Sequence, residues 1–342
     1  MVFSAEIGID LGTASILLYV RGQGIVVNEP AVVAVEQKMQ RLLAVGSTAW
    51  NMLGRTPENI VALRPLRAGV IADFSLAEVM LRHFLEAAVK KRYILRPRVV
   101  VCIPAGTTPV EQKAVLEAVA RIGARETFLI EEPRAAALGA QLNIFELSGS
   151  MIVDIGGGTS DIAVISMGEV VEGTSVRIGG DKFDEAVARF VKKEYNLLIG
   201  ERTAEALKKA IGSAHPQGRN LETEVRGRDL ITGLPRQIKV TTGELSAAFA
   251  EPLSAILDGI KGVLQRTPPE LAGDIIDKGV VLSGGGALLD GFSRYLSQEI
   301  GIPFYLAEEP LNCVIRGTAA VLEKIARFKE TLPSSRNMGV AF

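Results

Sequence analysis

The feature that most constrains this chain is a motif that occurs twice. An apolar run meets aspartate and glycine at Ile9–Asp10–Leu11–Gly12, passes through Thr13 and enters a second apolar run, Ile16–Val20. The same order returns at Val153–Asp154–Ile155–Gly156, continues through Gly157, Gly158 and Thr159, and enters Ile162–Ile165. Each copy reads as a hairpin of two strands closed by small residues. A second feature repeats with it. The apolar run Val99–Pro104 ends in a small-residue turn before a helix, and Val280–Ser283 ends in Gly284, Gly285 and Gly286 before another. Two motifs recurring in the same order predict two structurally related halves.

Strands alternating with helices make the fold class α/β. Further strands are expected at Ile25–Val27 and Ala31–Val35. Ser75–Leu76–Ala77–Glu78 has the capping-box pattern, and so does Thr108–Pro109–Val110–Glu111, whose helix Gly123 stops. The halves are expected to part near Leu147–Ser150. The polar stretch 213–239 reads as an insertion in the second half, and 33–66 as a smaller one in the first. A chain of 342 residues has room for two such units.

The repeated turns point to anion binding. Glycine lets a backbone approach a ligand closely, and N–H groups in tight turns form anion-binding concavities. Gly12, Thr13 and Ala14 facing Gly156, Gly157 and Gly158 would hold a polyphosphate from two sides; a single copy would read as no more than a tight hairpin. Asp10 and Asp154 lie in apolar strands, where a carboxylate is costly without a cation or a partner. The pair suggests a hydrated Mg²⁺, the alternative being carboxylates satisfied by turn N–H groups. Gly284, Gly285, Gly286 and Ala287 would let a base or ribose lie against the backbone at a helix N-terminus. There is no GxxxxGK[ST] loop and no GxGxxG fingerprint. From spacing alone, Glu131 and Glu132 read as acids at a helix start, and Glu205 with Lys208 as a surface ion pair.

Other classes are disfavoured. The net charge of −1 argues against whole-surface attraction to nucleic acid. Cys102 and Cys313 lie far apart in apolar stretches, which predicts free thiols, and His83 and His215 lack metal-ligand spacing. No signal peptide or spanning segment is apparent, so a cytoplasmic protein is expected. Tyr93, Ile94 and Leu95 form an apolar tip flanked by Lys90, Lys91, Arg92, Arg96 and Arg98. That pattern suits an anionic membrane surface, or a loop tucked against its own domain. Met1–Val2–Phe3 would add a small second anchor.

Together these segments resemble the actin, Hsp70 and sugar-kinase ATPase superfamily. The two phosphate loops are Ile7–Thr13 and Val153–Asp161. The connecting helices open at Glu131–Ala136 and Gly317–Ala319, and the adenosine loop is Ser283–Ala287. Within it the chain is similar to the MreB family of bacterial actins, through stretches such as Gly24–Pro30, Gly69–Asp73, Leu198–Glu205, Gly233–Arg236 and Thr267–Leu271.

The resemblance implies an actin-like fold of two RNase H-like halves around a nucleotide cleft. The first half would be 1–146 with 316–342, and the second 147–315 with an insertion at about 182–245. It implies ATP and Mg²⁺ as ligands, with Asp10 and Asp154 holding the metal through water. Glu132, with Thr159 and Asp154, would carry slow hydrolysis. Ala204, Glu205, Ala206, Leu207 and Lys208 would lie near the adenosine, opposite Gly284–Ala287. It further implies paired antiparallel filaments on the inner face of the cytoplasmic membrane, partnered with cell-elongation membrane proteins and the cell-wall synthesis machinery, and no nucleic acid. Arg134 and Arg316 depart from the family pattern and put the hydrolysis rate in question. The rivals are a plasmid-segregation actin, an Hsp70-like chaperone, for which no room follows Phe342, and a sugar kinase.

Overall fold

The repeat becomes two sheets of one topology in the computed structural model, which describes residues 4–37, 41–89, 95–215 and 218–340. Strands Ser4–Leu11, Ser15–Val20 and Gly24–Pro30 form an antiparallel meander. Leu95–Ile103 and then Glu126–Glu131 add in parallel beside Ser4–Leu11. The second sheet matches it strand for strand. Ser150–Ile155, Ser160–Ser166 and Glu169–Val176 form the meander, and Val280–Ser283 and Phe304–Leu306 the parallel pair.

Local sequence accounts for this order. Short turns allow antiparallel neighbours, whereas parallel ones need a crossover, supplied here by helices Pro109–Arg121 and Phe292–Ile300. Val99 to Ile103 are all buried, as a strand covered on both faces requires.

Two helices join the halves. Glu132–Gly139 leaves the first sheet and packs on the second, whereas Cys313–Glu323 leaves the second and packs on the first. They cross at backbone contact. A Cβ on Gly139 would overlap the Cys313 carbonyl, and one on Gly317 the Ala135 carbonyl. Ala135, Ala136 and Ala137 share a core cluster with Cys102, Ile152 and Ile165 of the two sheets. The expectation that these alanines mark close helix packing holds.

Each half carries a small lobe. Strands Val33–Glu36, Arg41–Val45 and Ile60–Leu63 form one sheet, with helix Ser47–Met52 beside it; Leu197–Leu198, Glu222–Asp229 and Pro235–Thr241 form the other. The polar stretch 213–239 thus contains two paired strands.

The Thr108 capping box forms as expected, with the Glu111 carboxylate accepting from Thr108 N at 2.9 Å and Thr108 Oγ1 from Glu111 N at 3.3 Å. The Ser75 cap does not. Helix Phe74–Val89 starts earlier, and Asp73 Oδ1 accepts from Leu76 N at 3.0 Å. A carboxylate directly before the first helical residue reaches the orphan N–H first. Gly284–Gly286 lead into a 3₁₀ turn, Gly285–Leu288, and the helix starts only at Phe292, so the glycines do not form a helix N-terminus. Cys102 and Cys313 are free, buried thiols. Tyr93 and Ile94 lie outside the described residues, as does the side chain of Leu95.

Candidate functional site

The two repeated turns meet. A Cβ on Gly157 would collide with Ala14, and one on Gly158 with Thr13, so only glycine lets the loops close on each other. The turn carbonyls of Gly156 and Gly157 accept from the N–H groups of Gly180 and Asp181, at 2.9 and 2.8 Å, where helix Gly180–Tyr195 begins. Thr13 Oγ1 accepts from Gly69 N at 2.9 Å, which brings a third loop to the junction. Ala68 in that loop has φ 48°, a conformation β-carbons resist, so the surrounding packing holds it there.

Above this junction is a cleft of about 600 Å³. Asp10, Thr13, Ala14, Glu132, Asp154 and Thr159 line its floor side. Glu205, Lys208, Gly284, Gly285, Gly286 and Leu288 also line it. The predicted phosphate turns, both aspartates, Glu132, Thr159, Glu205 and Lys208 therefore share one cavity.

Its electrostatics follow from strand register. Asp154 sits opposite Asp161 on one neighbouring strand and Ser283 on the other. Ser283 Oγ donates to Asp154 Oδ1 at 2.6 Å, and Asp161 Oδ1 accepts from Ala105 N at 2.8 Å. Burial pushes the Asp10 carboxyl up to about 7, and the Asp154 charge adds to this. Burial also takes Asp154 to about 7 against the opposing Ser283 hydrogen bond, and Asp161 to about 6. Glu132 is raised well above the usual carboxylate range, first by burial and then by Asp161, Asp10 and Asp154. Glu131, just before the helix, is also raised above the usual carboxylate range by burial, an effect that Arg134 and the Gly106 N–H partly offset.

Four acids converging under two glycine turns fit a cation accompanied by a polyphosphate. The paired turns approach so closely that a β-carbon on Gly157 or Gly158 would close the gap between them. Among the described residues no three His, Cys, Asp or Glu side chains converge as direct metal ligands. The donor set suits a hydrated hard ion held through its waters, with Asp10 and Asp154 as the residues that would hold it.

The raised acids carry a sign that can be measured. Between their unfolded values near 3.8 and about 7, the folded protein binds more protons than the unfolded chain. Stability of the metal-free protein therefore falls as pH rises through this window. From pH 6 to pH 8 the loss is expected to be on the order of 2 kcal/mol. Thermal melting of chelator-treated protein should show it, and Asp10→Asn should flatten the slope. A flat profile between pH 6 and pH 8 would show that these carboxyls are ionised without cost.

Four predicted contacts do not reach the cleft. Ala204 and Leu207 are buried in the second-half core, and Ala206 is exposed on the opposite side of helix Glu201–Ile211. The helical period turns only Glu205 and Lys208 of that run toward the cavity. Ala287 is likewise packed into the core. Glu205 and Lys208 do not pair with each other. Lys208 Nζ bonds Asp184 Oδ1 at 2.8 Å and Gly180 O at 2.9 Å, and Glu205 pairs with Lys209 at 2.6 Å. Arg134 points away from the cleft to Glu169 at 2.8 Å, and Arg316 to Glu309 at 3.3 Å.

The structure also adds residues that the motifs did not single out: Asp184 beneath Lys208, Asp181, Arg64 and Trp50. None carries a sequence signal that separates it from an ordinary surface residue. Ser283, which opens the predicted adenosine loop, hydrogen-bonds Asp154 beneath the cleft.

Known proteins share this arrangement. The family model described as MreB/Mbl protein matches residues 4–330. The cell shape-determining protein Mbl of Bacillus cereus is 51% identical over 326 residues, covering 95% of this chain and 98% of its own length. The cell shape-determining protein MreB of Escherichia coli K12 is 52% identical over 329 residues, 95% of each chain. Among solved structures, MreB5 of Spiroplasma citri bound to ADP superposes with a TM-score of 0.91 at 38% identity, covering 96% of this chain and 99% of that one. The same protein bound to AMPPNP gives 0.90 at 37%, covering 96% and 98%. The fold is actin-like, as the sequence resemblance implied. With matches that run through both halves and both glycine turns, the chain belongs to the MreB/Mbl family.

Proposed function

We propose that this protein is an ATP-binding, slowly hydrolysing filament protein that directs cell-wall synthesis and maintains rod shape. The observation that carries the reading is the pair of interlocked glycine turns beside the carboxylates of Asp10, Glu132 and Asp154, in a cleft between two halves of equal topology. The names of the relatives support the cellular role, and the ADP and AMPPNP complexes of MreB5 support the choice of ligand.

In this reading the Gly12–Ala14 and Gly156–Gly158 turns bind the phosphates through backbone N–H groups, a cost-free source of positive potential. Asp10 and Asp154 would hold a Mg²⁺ through its waters, and the ion would supply neutralisation of the phosphate charge. Glu132 and Thr159 orient the attacking water, and Glu132 takes its proton. Glu205 and Lys208 face the adenosine across from Gly284–Gly286, with Lys208 fixed by Asp184. Hydrolysis acts as a switch, because both halves contact the phosphates and each change there biases their relative rotation.

The polymer is a pair of antiparallel protofilaments on the inner face of the cytoplasmic membrane. No helix among the described residues is long and apolar enough to cross a membrane. Attachment is peripheral, through Tyr93, Ile94 and Leu95 with their basic flanks, a reading that rests on sequence. Partners are cell-elongation membrane proteins and the wall-synthesis machinery.

Sedimentation and electron microscopy of purified protein with Mg-ATP, with Mg-GTP and without nucleotide test this, each with and without anionic vesicles. Paired filaments with ATP, enriched on the vesicles, are expected. Protein that stays in the supernatant under every condition would overturn the filament reading.

A further inference from the structure

The mouth of the cleft is bridged by side chains that belong to opposite lobes. Trp50, on helix Ser47–Met52 of the first lobe, lines the cleft and carries two guanidinium groups on its ring. Arg64 lies 5.3 Å from the ring centroid and Arg202 6.0 Å. Arg64 comes from the same lobe as Trp50 but reaches across to the second half. It donates to Asp181 at 3.1 Å and to Glu201 at 2.7 Å. Arg202 comes from the second half and reaches back. Its two terminal nitrogens bond Asn51 O and Asn51 Oδ1, both at 3.2 Å.

The contacts interlock. One arginine from each side crosses the gap, and the same indole sits against both. Asn51, Trp50 and Arg64 belong to the first lobe, and Asp181, Glu201 and Arg202 to the second half. Arg64 is nearly buried, with 12% of its side chain exposed, so its pairs are less screened than surface ones. A planar guanidinium can stack on a ring and bond at its edge at the same time, which an ammonium cannot do.

We propose that this cluster is a clasp, with Trp50 as its bolt, that holds the two lobes together across the cleft mouth and sets how fast a nucleotide leaves. The gating role rests on reading the cleft as a nucleotide site. The clasp itself does not, since all of its members are groups of the protein. Opening it breaks five hydrogen bonds across the gap and the Arg202–Trp50 ring contact together, so release requires a cooperative parting of the lobes rather than fraying of one side chain.

The chain supplies its own reporter, because Trp50 is its sole tryptophan. Arg202 is the clean site for substitution: it does not line the cleft, so its loss removes no direct contact with a bound nucleotide. Arg202→Ala is expected to release mant-ATP about five- to tenfold faster in a chase experiment. The nucleotide-free variant should show Trp50 emission shifted to longer wavelength, as the indole gains water. Arg202→Lys, which keeps charge but loses the fork, should fall between the two. Trp50→Phe, which keeps a smaller ring, should also accelerate release and guards against misfolding in larger truncations. Release rates within twofold of the parent for both Arg202→Ala and Trp50→Phe, with unshifted emission in Arg202→Ala, would overturn the clasp. If no version of the protein binds mant-ATP, the nucleotide reading and the gating role fail together, and the emission shift alone decides whether the lobes are bolted.

Discussion

Glu132→Gln is expected to lower ATP turnover by about a hundredfold or more, while nucleotide affinity stays within about threefold. The change is isosteric, so the buried pocket keeps its shape, but an amide cannot take a proton from water. Glu132 is buried beside Asp161, Asp10 and Asp154, and burial first, then their charges, hold its carboxyl well above the usual range. Replacing it removes one acid from that crowd. Binding of the cation should therefore not weaken, and the polymer formed with ATP should persist longer than that of the parent. Single-turnover phosphate release together with equilibrium binding separates the two effects. A variant that has lost both would assign Glu132 to ligand binding instead. If turnover survives in Glu132→Gln and collapses in Glu131→Gln, the role moves one residue toward the helix start.

Gly317→Ala should be the most damaging single methyl in the protein. The added carbon has nowhere to go: the atom in its way is the Ala135 carbonyl oxygen, part of a helix backbone that cannot rotate aside. Gly139→Ala meets the Cys313 carbonyl in the same manner from the other helix. Separating two helices packed on a shared core opens voids on both sides of the contact. A loss of about 3 kcal/mol or more follows for either change. Because both relieve the same contact by the same separation, the double variant should cost less than the sum. Thermal unfolding and the soluble fraction on expression report it. Melting within about 2 °C of the parent for both variants would mean that the helices slide apart cheaply.

What could be read from the sequence was what the backbone states locally. Asp10, Gly12, Asp154 and Gly156 announce themselves because an aspartate in an apolar strand is uncommon, and because the whole pattern recurs. The topological identity of the two sheets followed from that repetition. The Thr108 cap was legible for the same reason, since all its atoms lie within four residues. The Ser75 cap failed because two capping residues stood close together and the carboxylate of Asp73 won. The run Ala204–Lys208 was read as a block, whereas a helix divides such a run among its faces.

The clasp was invisible for a different reason. Arg64 and Asp181 are 117 positions apart, and Arg202 and Asn51 151. Nothing in an arginine on a polar helix marks it as half of a bridge. The same holds for Gly139 and Gly317, whose need to be glycine is set by each other's helix. Asp184 under Lys208 had no signal beyond an acid in an amphipathic helix.

The exchange of helices between the halves has a consequence for how the chain can be assembled. Each sheet is covered on one face by a helix that the chain delivers from the other half, so the first half is not complete when its own strands are made. The first sheet waits for Cys313–Glu323, which emerges near the end of synthesis. Until then its apolar face has no permanent cover. The molecule is thus two sheets of one topology but one unit in folding, and a break in the chain near Ser148 would leave two pieces that each hold the other's lid.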